Sequence, residues 1–331
     1  MRSIISILIS LASLLLFSCE QDKCAGGAEI SSISVDIAIE RLDQALFTAQ
    51  SPEEMRALLN QHPLYLSQYA NLTGTEKDSL YYQEYFRVMH DPHIDTLYQQ
   101  TQAVFENVAT LETDFAQAFR HIKYYYPDFT PPKIYTTFTG LGSMGPDLLV
   151  SDSLIVISLD FFAGPDARYR PQVYDYLMDR YSPGYIVPSC IMILSNRFNN
   201  TKPSDNSLLA EMVYYGKSYY FVQQVMPCLP DTILAGYDEE QITTIQDNTE
   251  MIWSHFIDNE LLYETSHIVK PRYVGERPST VEINTKIPGR VGRWIGWQIV
   301  QNFADKTEKQ LPQVMQEADA QQIFTQAKYR P

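Results

Sequence analysis

Apolar and polar positions follow two rhythms along the chain, and the switches between them outline the fold. From Ile33 to Ile39 apolar residues recur at every second position, the period of a strand with one buried face. Glu40 to Phe47 turns helical. Ser51-Pro52-Glu53-Glu54 offers a capping hydroxyl, a proline at the first helical position and a glutamate at the third, which predicts a helix to about Asn60. Residues 76–90 are also helical in pattern. From Asp95 to Tyr126, Leu97, Val104, Val108, Leu111, Phe115, Phe119 and Ile122 keep helical spacing until Pro127, which predicts the longest helix of the chain. Residues 133–138, 148–150 and 154–158 are rich in β-formers, and the last two flank the turn Ser151-Asp152-Ser153 as a hairpin. With the strand at 33–39 they predict a small antiparallel sheet. The remainder reads as helices near 171–180, 188–198, 207–226, 247–262, 289–304 and 311–328, with Ser207 as an N-cap and Pro227 as a stop. One strand, helices, a sheet and then helices make an α+β fold, mostly helical.

The N-terminus has a different logic. Met1-Arg2 is a short positive start, and Ile4 to Phe17 is apolar except for Ser6, Ser10 and Ser13. That run is short of the roughly 20 residues a membrane span needs and sits where an export signal belongs. It ends Leu16-Phe17-Ser18-Cys19, the spacing of a lipobox, so residues 1–18 read as a signal peptide and Cys19 as the acylated (palmitate-bearing) first residue of the mature protein. An ordinary cleaved signal with an incidental cysteine is the alternative. The polar, Gly-rich run after Cys19 reads as a flexible tether to residue 32, and residues 33–331 as a single globular domain, since no linker or repeat divides them. The domain is then membrane-anchored in the cell envelope on the side away from the cytoplasm, facing the periplasm.

Charge narrows the partners. Without residues 1–18, whose only charged residue is Arg2, 24 Lys and Arg face 40 Asp and Glu, a net charge of −16. This argues against nucleic acid and against docking on anionic lipid through the protein surface. Cys24, Cys190 and Cys228 match no metal or redox spacing. A Cys190–Cys228 disulfide and two buried thiols are both compatible with an oxidising compartment. The 23 tyrosines cluster at Tyr124-Tyr125-Tyr126, Tyr214-Tyr215 and Tyr219-Tyr220, either as an aromatic platform for glycan or protein or as half-buried helix faces.

No catalytic constellation is evident. There is no nucleophile elbow, no Gly-rich phosphate loop and no His-Glu-x-x-His. The only close histidine pair, His90-Asp91-Pro92-His93, is interrupted by proline and reads as a turn. The sequence therefore calls for no metal and no cofactor. Ile287 to Val300 is instead dense in unusual residues: Gly289, Gly292 and Gly296 would form a smooth stripe on a helix, beside Trp294 and Trp297. An interior helical glycine costs up to about 1 kcal/mol, so either tight helix packing or a partner groove must compensate. Lys270, Arg272, Arg277, Lys286, Arg290 and Arg293 against Glu276 and Glu282 add a basic patch. The candidate partner or ligand surface is thus Arg290, Arg293, Trp294, Gly296 and Trp297, joined by Tyr215, Gly216 and Lys217 of the 207–226 helix.

Leu208 to Phe221, Gly289 to Val300, and Ala327 to Pro331 resemble the GldB family of gliding-motility lipoproteins of Bacteroidota. Arg41-Leu42-Asp43, Ile157 to Phe161 and Glu250 to Trp253 fit the same pattern in the same order. The resemblance implies an envelope lipoprotein needed for gliding, acting through envelope protein partners without an established enzymatic activity. Beneath it lies a fainter similarity to a zincin-like metallopeptidase domain. In that template the helix at 188–198 would carry the metal-binding histidines and a glutamate would precede Gly216; here the first has no His or Glu, and Tyr215 stands before the glycine. Zinc needs three protein ligands for catalysis, so the likeness implies a fold stripped of its metal site. The competing functional readings are a peptidase or cell-wall hydrolase with a non-standard site, for which Glu211 is the best residue, and a peptidoglycan or glycan binder.

Overall fold

The computed structural model describes residues 27–331. The expected signal peptide, Cys19, Cys24 and the first part of the expected tether lie outside the described residues. Four strands, β1 (Ile39–Arg41), β2 (Lys133–Thr137), β3 (Leu148–Val150) and β4 (Leu154–Ser158), form a sheet in the order β1-β2-β4-β3. β1, β2 and β4 are parallel, and only β3 runs antiparallel, paired to β4 across the expected hairpin. The sheet is therefore mixed, which corrects the antiparallel reading. The reason is visible in β4: Leu154, Ile155, Val156 and Ile157 are all buried, and an unbroken apolar run is the mark of a central strand covered on both faces. Only the end of the alternating run at 33–39 pairs as strand.

The two faces of the sheet each support a core. Ile39, Ile134, Ile155 and Ile157 point to the larger one, which holds most of the chain after residue 105. Tyr135, Leu154 and Val156 point to a smaller one with α1 (Pro52–Leu59), α2 (Ser79–Met89) and part of α3 (Pro92–Val104). Ser51 caps α1 by accepting from the Glu54 N–H, and Asp91 caps α3 by accepting from the His93 N–H.

The stretch expected as one long helix is two, α3 and α4 (Ala109–Tyr125). The break takes the chain from one core to the other, since Leu97 is buried in the smaller and Phe105, Val108 and Leu111 in the larger. A polar network stops α3 there. Buried Asp43 accepts from Arg41 Nε at 2.8 Å and Nη2 at 2.7 Å, and from Gln102 Nε2 at 3.0 Å. Arg41 Nη2 also donates to the Phe105 carbonyl at 2.9 Å, satisfying a group that a helix end leaves orphaned.

The other helices that matter are α5 (Pro183–Leu194), α6 (Leu208–Val225), α7 (Glu239–Asp247), α8 (Thr249–Asp258), α9 (Val291–Thr307), α10 (Leu311–Gln316) and α11 (Ala320–Ala327). The helix expected at 247–262 is thus α8 with α7 ahead of it, and 311–328 is split in two. Residues 171–180 hold only a 3-10 turn, Asp175–Arg180. The folded part also begins earlier than the expected tether ends: Gly27–Ser31 is helical, and Ile30 is buried. Cys190 is a buried free thiol, whereas Cys228 is disulfide-bonded, so the two do not pair.

α6 and α9 lie side by side and run in the same direction. Gly216 faces Gly296, and two turns on Gln223 faces Trp297 and Gln301. A Cβ on Gly216 would come 2.3 Å from the Gly296 carbonyl oxygen, and one on Gly296 1.9 Å from the Met212 oxygen. The two backbones therefore touch, and no flexible side chain is there to give way. By helix propensity alone Gly296→Ala gains about 1 kcal/mol; the contact predicts the opposite sign, a loss of about 3 kcal/mol or more from overpacking. Equilibrium denaturation of the variant against the parent chain reads that sign directly.

Candidate functional site

The segment singled out in the sequence faces inward. Trp294 and Trp297 are 5% and 1% exposed, packed edge-to-face on each other with centroids 5.2 Å apart. Gly296 and Gly216 form the interhelix contact. Gly289 precedes α9, so it is no part of a helical stripe, and a Cβ there would meet the Arg277 carbonyl oxygen at 1.9 Å. Lys217 is 1% exposed. Its ammonium donates to three carbonyls, of Asn200 at 2.5 Å, Met315 at 3.1 Å and Glu317 at 2.9 Å, tying α6 to the end of α10. Burial pulls its pKa down to about 8, with Glu317 acting the other way. These residues are buried in the packing and present almost no exposed surface, against the expectation for Trp294, Gly296, Trp297, Gly216 and Lys217. Tight helix packing is what compensates the glycines.

Arg290 is corrected too, at 4% exposure. It takes a left-handed backbone, φ 64°, just before α9, a conformation that costs a non-glycine residue of order 1 kcal/mol or more. Its guanidinium stacks 5.0 Å over the Tyr237 ring and donates to the Gly236 carbonyl at 3.0 Å. It also meets Glu276 at 3.3 Å, as do Arg180 at 2.9 Å and Arg293 at 3.4 Å. One carboxylate thus gathers three arginines at the start of α9. Arg180 and Arg293 are partly exposed, and Arg293 lies 4.1 Å over the half-buried Tyr215 ring. Three more members of the basic patch are likewise paired: Arg277 and Arg272 reach Glu282 at 3.0 and 3.9 Å, and Lys270 reaches Glu211 at 2.5 Å. That last pair engages the carboxylate considered for catalysis. Among the described residues no group of three or more His, Cys, Asp or Glu could hold a metal ion.

A further turn carries a phosphate-loop spacing that the sequence reading passed over. Gly140-Leu141-Gly142-Ser143-Met144-Gly145 follows β2, with Leu141 left-handed at φ 53°. It leads into β3 and not into a helix, so it lacks the helix N-terminus that cradles phosphate. Its inward N–H groups are already taken: buried Asp160 accepts from Leu141 N at 2.6 Å and Thr139 N at 3.2 Å. Burial pushes this carboxyl up to about 6 in spite of those donors.

What remains open is a cleft of about 640 Å³ over three helices. α9 contributes Gln298, Gln301, Asn302 and Asp305, and α6 contributes Tyr220, Gln223 and Gln224, each set at i, i+3, i+4 spacing that keeps it on one helix face. α4 supplies His121 and Tyr125, one turn apart. Ile30 also lines the cleft. A second hollow of about 400 Å³ shares Gln298, Gln301 and Asn302 and extends toward Trp297 and the C-terminal Tyr329. The Gln223 carbonyl accepts from Trp297 Nε1 at 3.3 Å and Gln301 Nε2 at 2.9 Å, so buried packing and open cleft meet on one side chain. Gln223-Gln224 and Gln298 to Asn302 were legible as uncharged polar stripes on otherwise apolar helices, a pattern overshadowed by the glycines and tryptophans beside them.

A family model described as gliding motility protein GldB matches residues 23–331. Among curated proteins and among solved structures, none matches the chain significantly.

The arginine cluster generates a prediction. Burial alone would raise the Glu276 pKa, but Arg290, Arg180 and Arg293 outweigh it and hold the carboxyl below its usual value. A depressed folded pKa contributes stability above the ordinary carboxylate range and loses it as pH falls through the folded value. Glu276→Gln should therefore cost about 2 kcal/mol at pH 7, below the full cost of breaking a buried pair because the carboxylate is partly exposed. The difference from the parent should shrink below pH 4.5. Urea midpoints at pH 7 and pH 4 measure both.

Proposed function

The chain belongs to the gliding motility protein GldB family, a family of gliding-motility-associated lipoproteins, and on that footing we propose that it serves the motility machinery by binding other envelope proteins. The single observation that carries this is the span of the family match, 309 residues from 23 to 331. The anchor in this reading is Cys19, acylated after removal of residues 1–18, with the domain on the periplasmic side of its membrane. No helix among the described residues is long and apolar enough to cross a bilayer, so in this reading attachment rests on the lipid, and stable attachment takes more than one acyl chain.

The role is one of binding and not of catalysis. Support comes from the engagement of the carboxylates that chemistry would need: Glu211 with Lys270, Glu276 with three arginines, and Asp160 with loop N–H groups. Within the segment first read as a docking surface, Tyr215 and Arg293 are the members that reach solvent, and we assign partner contact to them.

Two linked measurements test this. In cells labelled with palmitate, the parent chain should carry label and sediment with membranes, while Cys19→Ala should lose both properties. In-cell cross-linking should then recover a small set of envelope proteins from the anchored form alone. A Cys19→Ala chain that stays labelled in the membrane fraction would overturn the anchor, and identical recoveries from both forms would overturn the assembly role.

A further inference from the structure

We infer that the cleft between α4, α6 and α9 is a binding site for an uncharged oligosaccharide. Three independent features of the cleft point to this chemistry.

The first is the composition of the walls. The polar groups are side-chain amides, which donate and accept together, and tyrosines, whose rings offer flat apolar faces and whose hydroxyls offer a polar tip. Burial pushes the Tyr220 hydroxyl up to about 12, with Tyr125 and Asp305 acting in the same direction, so it remains a protonated donor at neutral pH. Sugar rings present the complementary pattern, dense hydroxyls around an apolar ring face. Among the described residues lining this cleft there is no lysine or arginine, and Asp305 stands at its rim. Phosphate, sulfate or uronate would find no counter-charge here and one repulsive carboxylate.

The second feature is an unmet hydrogen-bonding group. His121 is 2% exposed, and its Nδ1 lies 2.9 Å from the Gln117 carbonyl. A carbonyl can only accept, so Nδ1 carries the proton and Nε2 the lone pair. That Nε2 is buried without a partner among the described residues, and a buried polar atom left unpaired is costly to the fold. His121 lines the cleft; its Nε2 is closed to solvent as it stands, and a small turn of the ring would offer that lone pair to a ligand bringing O–H or N–H donors.

The third is size and place. About 640 Å³ falls within the range of small-molecule sites, roughly 300–1,000 Å³, enough for two or three sugar rings, and the second hollow continues the groove along α9 for a longer chain. Ile30 sits at the cleft, and Gly27 begins the described chain. If Cys19 bears lipid, the eight residue steps between them reach at most about 29 Å. The cleft then stays within that order of distance from the membrane, where envelope glycans are abundant. This placement leans on the anchor reading; the wall chemistry and His121 do not.

The test uses the purified full chain in a detergent without a sugar headgroup, titrated calorimetrically with the N-acetylglucosamine tetramer, with cellotetraose and, as the anionic comparison, with tetragalacturonate. At least one neutral tetramer should bind saturably and the anionic one should bind at least tenfold more weakly. Gln298→Ala combined with Asn302→Ala removes two amides that have no hydrogen-bond partner among the described residues, so the fold should be kept while affinity drops at least tenfold. Gln224→Ala serves as a second variant, with an expected loss of threefold or more, should the double change alter the thermal midpoint. Absence of saturable binding to both neutral tetramers, equal or tighter binding of the anionic one, or full affinity in folded variants would each overturn the assignment. Membrane recovery and cross-linking do not enter this readout, so its failure leaves the assembly role standing and the converse holds too.

Discussion

Where Gly216 meets Gly296, two helix backbones touch, and the larger core is organised around that contact. A side chain on either residue would collide with a carbonyl of the other helix, so the approach is possible only because both positions are glycine. Each glycine forgoes up to about 1 kcal/mol of helix stability. The return is close packing: Tyr219 and Trp294 lock edge-to-face on Trp297, and Lys217, one residue past the crossing, reaches three carbonyls at the far end of the core. The same parallel alignment places the amide stripes of α6 and α9 beside one another. The cleft is therefore the outer face of the contact that makes the core.

The motifs by which the chain resembles its family meet in space as packing partners. Leu208 to Phe221 lies against Gly289 to Val300 through the two glycines. The terminal Ala327 to Pro331 returns to Glu250 to Trp253, with Tyr329 edge-on to Trp253 at 5.0 Å. Arg41-Leu42-Asp43 ends α3 and, through Thr136, ties itself to the sheet, while Asp160 of the β4 motif fastens the loop after β2. A family signature of this kind specifies a shape. The chemistry offered to other molecules then sits on positions between the motifs, above all the amides and tyrosines of the cleft.

How much could be read beforehand depended on whether local or long-range forces decided the outcome. Helix starts were legible where one side chain determines them, as with Ser51 and Ser207, whose hydroxyls accept the expected backbone N–H groups. The break between α3 and α4 was not, because neither proline nor glycine marks it; it depends on Arg41 and Asp43, some 60 residues away. Strand order escaped for a similar reason: a hairpin turn determines how β3 pairs with β4, but nothing local says that β4 also lies parallel to β2. The tryptophans and arginines around α9 drew attention as surface because they are unusual, whereas their burial is set by distant partners: Gly216, on a helix 80 residues earlier, for the tryptophans, and Tyr237 and Glu276 for Arg290. Glutamines and asparagines at ordinary spacing carried the cleft almost unnoticed.

The central claim is that the glycine contact between α6 and α9 is the most stable part of the molecule, from which core and cleft both follow. Native-state hydrogen exchange resolved by residue tests it most directly. The account predicts that the amides from Val213 to Val222 and from Arg293 to Val300 exchange last, opening only with global unfolding. Faster exchange there than in α1 and α2 of the smaller core would contradict it and move the organising contact to the other face of the sheet.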